Sequence, residues 1–363
     1  MKPDFKRLSR AAAAKTRSDC SCGANVVKSV QSHRQAVSRA IKRERHVAHS
    51  IGVIAPIMAI IALGFCITHW KFFSGEQIAT LNRFVVSVAA PALLFRNVAL
   101  TEIPSIPPWG LWLSYYGAMF GCYALAFMVA SLVFRERARG ERVILSFGGS
   151  FSNTVMLGIP IIFTAFGAAA SLPLFLILAF HGLLIFSATI ILMELSANPS
   201  MALTSIFPKL GRAMANQQVM LGLLAGVLWN FTGLGLAPGV DTFLDLLGQS
   251  TIPLALVAVG GVLAQTQWRP ALNAALFSSL FKLVVLPIMV FALAQYVFAL
   301  PPLWVATITL LAAMPSGVFT SVFAIRYETA QQEASSTIVL STVLGAFSVS
   351  VWLLVFSEFL IVR

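Results

Sequence analysis

Ten apolar runs dominate this chain, at roughly 47–70, 78–100, 109–134, 143–166, 172–195, 217–236, 244–267, 271–299, 303–326 and 334–361. An α-helix needs about 20 such residues to cross ~30 Å of hydrocarbon, and lipid offers no water to satisfy an open backbone. The runs therefore predict an all-α integral membrane protein with ten transmembrane helices. Composition points the same way. Hydrophobic residues make up 58% of the chain and charged residues 10%, against about 25% charged in a soluble domain. Too little polar surface is left for a water-soluble globule.

The connection around 196–216, with Pro199, Pro208, Lys209 and Arg212, divides the runs five and five. This gives a first five-helix repeat over 47–196, a cytoplasmic linker over 197–216 and a second repeat over 217–363. The halves echo each other. Run 2 holds Pro91 and run 7 holds Pro253, while run 4 carries Gly158-Ile159-Pro160 and run 9 carries Met314-Pro315-Ser316-Gly317. Pro91 to Pro160 spans 69 positions, and Pro253 to Pro315 spans 62. A repeat with an odd number of crossings must be inverted in its second copy. Paired Gly/Pro interruptions at corresponding places are a pointer to a transporter binding site.

Loop charges set an orientation. Lys71, the cluster Arg135, Arg137, Arg139 and Arg142, then Lys209, Arg212, Arg269 and Arg326 all fall in odd-numbered loops. Basic loops belong in the cytoplasm, which puts both termini outside. Residues 1–46 conflict with that, because they hold twelve Lys/Arg against Asp4, Asp19 and Glu44, a large part of the net charge of +12. A basic balance can mean nucleic-acid binding, but here that reading could apply only to residues 1–46, so no nucleic acid is expected as a partner. Cys20, Cys22, Cys66 and Cys122 lack a second pair at ligand spacing, so no metal and no cofactor is expected.

Mid-helix proline removes a backbone donor and clashes with the carbonyl four residues earlier. Breaks at Pro160 and Pro315 would bare half-helix N-termini, which attract anions without any formal cation. Gly158, Pro160, Pro315, Ser316 and Gly317 are therefore read as substrate-binding backbone. Asn153 lies two helical turns before Pro160, and its amide can donate to a carboxylate, with the Thr154 hydroxyl beside it. The competing role for Asn153 is a bond to a neighbouring helix. Lys282 stands about eleven residues into run 8, where a charge costs at least ~2.5 kcal/mol. It is read as pairing with substrate, against snorkelling or bonding carbonyls freed at a crossover. His181 in run 5 is read as a packing residue, and Arg83 and Arg96 as snorkelling near the ends of run 2. The acids outside 1–46 all lie in loops or near run ends. Ion relays usually rest on a mid-membrane carboxylate, so a cation/proton antiporter is disfavoured. An intramembrane enzyme lacks a nucleophile with a base, or a metal set, at matching depth.

Three motifs resemble the auxin efflux carrier family: Lys71-Phe72-Phe73 with Leu81-Asn82-Arg83-Phe84-Val85, then Ser152-Asn153-Thr154-Val155-Met156-Leu157-Gly158-Ile159-Pro160, and Pro315-Ser316-Gly317-Val318 with Val322-Phe323-Ala324 and Tyr327. The resemblance covers roughly 47–362. It implies ten helices in two inverted repeats with broken crossover helices 4 and 9, and a small carboxylate carried across the lipid bilayer by alternating access. A dicarboxylate such as malonate or malate, or an auxin-like acid, is implied as substrate, bound beside a substrate-contacting asparagine that falls at Asn153. Homodimerisation is also implied. The short 5–6 loop and the Asn216-Gln217-Gln218 opening of run 6 point to the bacterial branch, and so to a multi-pass protein of the cell inner membrane. The alternative is a sodium-coupled organic-anion symporter of similar fold. Family members typically begin only a few residues before run 1. The extension 1–46 is thus a disordered or interfacial basic segment, with Val30, Val37 and Ile41 at helical spacing, or else the product of a reading frame started upstream.

Overall fold

The computed structural model describes residues 52, 55–101, 107–198, 211, 218–265 and 271–359. The extension 1–46 and most of the expected linker at 197–216 lie outside the described residues. The helical elements, in order, are α1 (Ala55–His69), α2 (Gly75–Leu100), α3 (Trp109–Val133), α4 (Arg139–Gly148), α5 (154–166), α6 (Ser171–Ala197), α7 (Gln218–Phe231), α8 (Pro238–Gln265), α9 (Leu272–Val297), α10 (Pro302–Ala312), α11 (Phe319–Arg326) and α12 (Gln331–Phe359). Six helical stretches among the described residues are long and apolar enough to cross a membrane: α2, α3, α5 with α6, α8, α9 and α12. Helices α1, α7 and α10 are apolar but shorter. No β-sheet occurs among the described residues. The chain is an all-helical, multi-pass membrane protein.

Local chemistry sets the element ends. Helix α2 starts at a capping box, in which the Ser74 hydroxyl accepts from the Gln77 N–H at 3.3 Å and the Gln77 side chain accepts from the Ser74 N–H at 2.8 Å. Two otherwise bare donors are answered at once. Between α5 and α6 the chain turns at Gly167, whose φ of 64° suits a residue without Cβ.

Three prolines inside the helices share one device, whereas Pro253 sits within the regular α8. Widened π turns at Val85–Ala89, Thr154–Gly158 and Phe281–Val285 each end two residues before a proline, Pro91, Pro160 and Pro287. A π turn shifts the carbonyls that a proline ring would strike and that its missing N–H would leave bare. Pro160 therefore does not break its helix, contrary to the expectation from Gly158-Ile159-Pro160. The interruption in that run falls earlier, at residues 149–153, between α4 and α5. The second interruption, between α10 and α11, does contain Pro315. The crossing faces Phe151 and Asn153 against Pro315 and Gly317, not Pro160 against Pro315 (next section). Counted that way, Pro91 to Phe151 spans 60 positions, close to the 62 from Pro253 to Pro315.

The helices pack in two groups. In the first, α2 lies against α7 and α8, and α1 against α8. The α1–α8 approach needs glycine. A Cβ at Gly260 would stand 2.0 Å from the Ile61 carbonyl oxygen, and one at Gly64 would stand 2.2 Å from that of Val257. Small residues let backbones touch where lipid supplies no hydrophobic drive between helices. In the second group, α3, α4, α5, α6, α9, α10, α11 and α12 pack around the two interruptions. The groups meet where α5 and α6 touch α2, α7 and α8.

Arg96 does not snorkel as expected. Its guanidinium pairs with Asp241 at 2.7 and 3.1 Å and with Asp245 at 2.8 Å, tying α2 to α8. The two aspartates one turn apart near the start of α8 supply the countercharge that lipid would not. Arg137, in the α3–α4 connection, pairs with Glu333 at 2.7 Å and Glu141 at 3.4 Å, in the first turns of α12 and α4. Burial opposes the Arg137 charge, but the two carboxylates outweigh it and raise its pKa above the ordinary value.

Candidate functional site: a crossing of two interrupted helices

The two interruptions touch as a short antiparallel bridge between Ser152 and Ser316. The Asn153 N–H donates to the Pro315 carbonyl at 2.9 Å, and the Gly317 N–H donates to the Phe151 carbonyl at 3.2 Å. Extended backbone deep in a helical membrane protein is tolerable only when its polar groups are answered. Here each segment answers the other. The fit is close, since a Cβ on Gly317 would sit 2.2 Å from Phe151 Cε1.

From the crossing, α5 and α11 each depart from their N-terminal ends. The Asn153 carbonyl accepts from Leu157 at 3.3 Å and Gly158 at 3.0 Å, starting α5. The N–H groups of Val155, Met156, Val318 and Phe319 find no acceptor among the described residues. Each helix start thus carries unmet donors and a partial positive charge. A cavity of about 80 Å3 opens here, lined by Phe151, Ser152, Asn153, Thr154, His181, Gly317 and Phe319. Val86 of α2 and Val219 and Met220 of α7 close its other side, so it lies between the two packing groups. Phe151, Phe186 and Phe319 back it with rings packed at tilted and edge-on angles, Phe186 and Phe319 being 4.7 Å apart. No Asp, Glu, Lys or Arg is among the lining residues.

The structure brings some of the sequence-picked residues together and separates others. Asn153 (8% exposed) and Thr154 (4%) line the cavity, and the Asn153 amide makes no hydrogen bond among the described residues. Gly317 lines it too. Ser316 faces away: its N–H donates to Ser341 Oγ at 3.0 Å, and its hydroxyl meets Thr320 Oγ1 at 3.0 Å. Pro315 gives its carbonyl to the crossing while its ring packs near Gly345 of α12. Gly158 packs α5 on Leu311 of α10, and Pro160 lies in the buried body of α5. Lys282 is fully buried and is not among the lining residues. Its ammonium donates to the Ala312 carbonyl, at the C-terminal end of α10. A cation there meets the negative end of a half-helix, the bond to a freed carbonyl that competed with substrate pairing. In the other half, Cys122 Sγ stands 3.6 Å from the Gly149 carbonyl, at the matching end of α4.

Sequence reasoning set His181 aside for packing and did not single out Ser152, yet both line the cavity. The signal for Ser152 was the small-residue run Gly148-Gly149-Ser150 just before it, a weaker helix than Gly158-Ile159-Pro160 suggests. His181 gave no signal beyond being a lone histidine.

A family model described as membrane transport protein matches residues 49–353. This chain belongs to the membrane transport protein family. That is the family of the auxin efflux carriers, so the resemblance carried by the crossing motifs holds. A "Putative malonate transporter" of Rhizobium meliloti is 26% identical over 303 residues, covering 84% of this chain and 94% of that protein. An "Uncharacterized transporter" of Methanothermobacter thermautotrophicus is 26% identical over 310 residues, covering 84% and 97%. Auxin efflux carrier component 8 of Arabidopsis thaliana is 29% identical over 154 residues, covering 41% and 42%. The chain is a membrane transporter, and its family points away from an enzyme.

Proposed function

We propose that this transporter carries a small carboxylate anion, with malonate as the leading substrate, by alternating access at the crossing. One observation carries the reading. The free amide of Asn153 and the unmet N–H groups of two helix starts converge on one cavity that holds no acidic side chain. Donors without competing carboxylates suit an anion. A water needs about 10–15 Å3 on the same measure, so 80 Å3 holds several waters and leaves room for a small carboxylate. The name of the Rhizobium relative supports the same class.

In this reading the elements compose ten crossings, as two inverted repeats of five over 47–196 and 217–363. Helices α4 with α5 form crossing 4, and α10 with α11 form crossing 9. The group bearing the crossing slides against α1, α2, α7 and α8, exposing the cavity to each side in turn. The apolar wall of Val86, Val219 and Met220 suits such sliding, because it offers the anion no polar hold on the static side.

Purified protein in liposomes should take up labelled malonate, and the flux should not require sodium. Asn153→Ala removes one donor to the carboxylate. Hydrogen bonds to charged groups are worth about 1.5–3 kcal/mol, so the malonate Kd should rise about tenfold to a hundredfold while thermal unfolding stays near wild type. An unchanged Kd in the folded variant would remove Asn153 from the site, and no malonate binding in the wild type would remove malonate.

A further inference from the structure

An anion entering this cavity meets helix starts and an amide, but among the lining residues only one side chain can gain a charge, His181. It is 3% exposed and held on two sides. Its ring stacks on Phe151 at 5.3 Å and 14°, and meets Tyr115 of α3 edge-on at 5.6 Å. Nε2 stands 3.4 Å from the Ser152 carbonyl, at the crossing itself. Nδ1 is buried with no hydrogen-bond partner among the described residues, and the hydroxyls of Tyr115 and Ser152 lie beside each other close by. Buried polar groups are nearly always paired, so an unanswered ring nitrogen at the wall of a cavity calls for an explanation. A histidine with an open nitrogen at an anion cavity can take up a proton there.

Resting on the carboxylate reading above, we infer that His181 binds a proton together with the substrate anion, so that the transporter moves anion and proton as a pair. The proton comes from bulk solution and adds to the open ring nitrogen, while the carboxylate stays ionised and no other bond changes. Charges around the ring fit this linkage. From α3 it is approached by Tyr115, with Tyr116 donating to the Ile177 carbonyl and Tyr123 meeting Thr189. Cys122 of α3 and Lys282 of α9 lie at the half-helix ends behind the crossing. Helices α5, α7 and α10 carry no ionisable residue, and α11 carries only Arg326 at its far end. On α2 the nearest is Arg83, one turn before Val86, and on α4 Arg139, Glu141 and Arg142 sit in the first turn. Along α6 itself Glu194 is about 20 Å away. Among the described residues no carboxylate therefore stands against the ring, and Lys282 is a like charge. An arriving anion supplies the missing countercharge. By linkage, a proton that favours the anion is favoured by it equally.

The test is a proton count. Malonate is titrated into purified protein in weakly buffered detergent solution at pH 7.5, with a pH-indicating dye. The wild type should take up about one proton per malonate bound, and its malonate Kd should fall by up to about tenfold for each pH unit lowered. His181→Phe keeps a ring for Phe151 and Tyr115 but has no nitrogen, and His181→Gln keeps a polar group that does not titrate. Both should bind malonate more weakly, with no proton uptake and a flat Kd across pH 6–8. Malonate binding without proton uptake in the wild type overturns the inference on its own and leaves the carboxylate reading standing. Undiminished uptake in a folded His181 variant also overturns it. A wild type that binds no malonate at all overturns the carboxylate reading, and this one with it.

Discussion

Gly317→Ala probes the crossing where it is tightest. A Cβ at Gly317 would lie 2.2, 2.7 and 3.0 Å from Cε1, Cδ1 and Cζ of Phe151, the first more than 1 Å inside ordinary contact. The ring has little room to yield. It is 5% exposed, with Phe147 stacked at 5.0 Å and His181 at 5.3 Å. Relief must come from the backbone, and the bond at risk is Gly317 N–H to the Phe151 carbonyl. Overpacking a close-packed site costs about 1–3 kcal/mol, and weakening a buried hydrogen bond adds about 1 kcal/mol. The expected total is ~2–4 kcal/mol, enough to lower the apparent Tm by several degrees and to weaken malonate binding at least tenfold. Phe151→Leu opens the space that the added methyl group needs. Combined with Gly317→Ala it should therefore recover part of the loss, with a coupling of about 0.5–3 kcal/mol. The assays are thermal unfolding in detergent and malonate Kd for the two single variants and the double. A Gly317→Ala protein with wild-type Tm and Kd, or strict additivity of the pair, would rule out a crossing packed this tightly.

Two further outcomes are expected. Lys282→Met should express and fold at least as well as wild type, because it removes a buried charge costing at least ~2.5 kcal/mol in a membrane. Liposome flux should nevertheless fall at least tenfold, since a charge-assisted bond of about 1.5–3 kcal/mol no longer holds the end of α10; full-rate flux would make the lysine dispensable. Pro160→Ala should transport near the wild-type rate, because α5 is already helical through Pro160, whereas Pro315→Ala should lose most flux by letting α10 run on and pull the Pro315 carbonyl from Asn153. The reverse order of severity in the same flux assay would show that the break belongs at Pro160 after all.

The place of the first break is where sequence reasoning went astray. A proline in an apolar run states that one carbonyl must be relocated, not how. At Pro160 a π turn does it and the helix continues. At Pro315 the helix stops. The two prolines look alike in sequence because what differs is the surrounding packing. Asn153, Thr154 and Gly317, which line the cavity, could be picked out along the chain because each carries its chemistry locally: an amide, a hydroxyl, a missing Cβ. Ser152 and His181 were not, because a serine or histidine in a membrane helix gains meaning only from which of its atoms are left unanswered. Lys282 could be recognised as costly from its depth, but its partner is a backbone carbonyl thirty residues away, which no spacing rule announces.

The apolar runs alone require an all-helical membrane protein, because hydrocarbon thickness and the cost of bare backbone leave long apolar stretches no other fold. Their motifs also mark the transporter family, and their glycines and prolines mark two runs that would be interrupted. Packing was needed to bring the interruptions together as a bridge between Ser152 and Ser316, to give Arg96 its partners Asp241 and Asp245, and to turn Lys282 toward Ala312 rather than the cavity. Helix-forming tendency and hydrophobicity act within about one turn or one run, so they can be read along the chain. The partner of a freed carbonyl or a buried charge is chosen among groups far apart in sequence, and only the packed arrangement brings them within hydrogen-bonding distance.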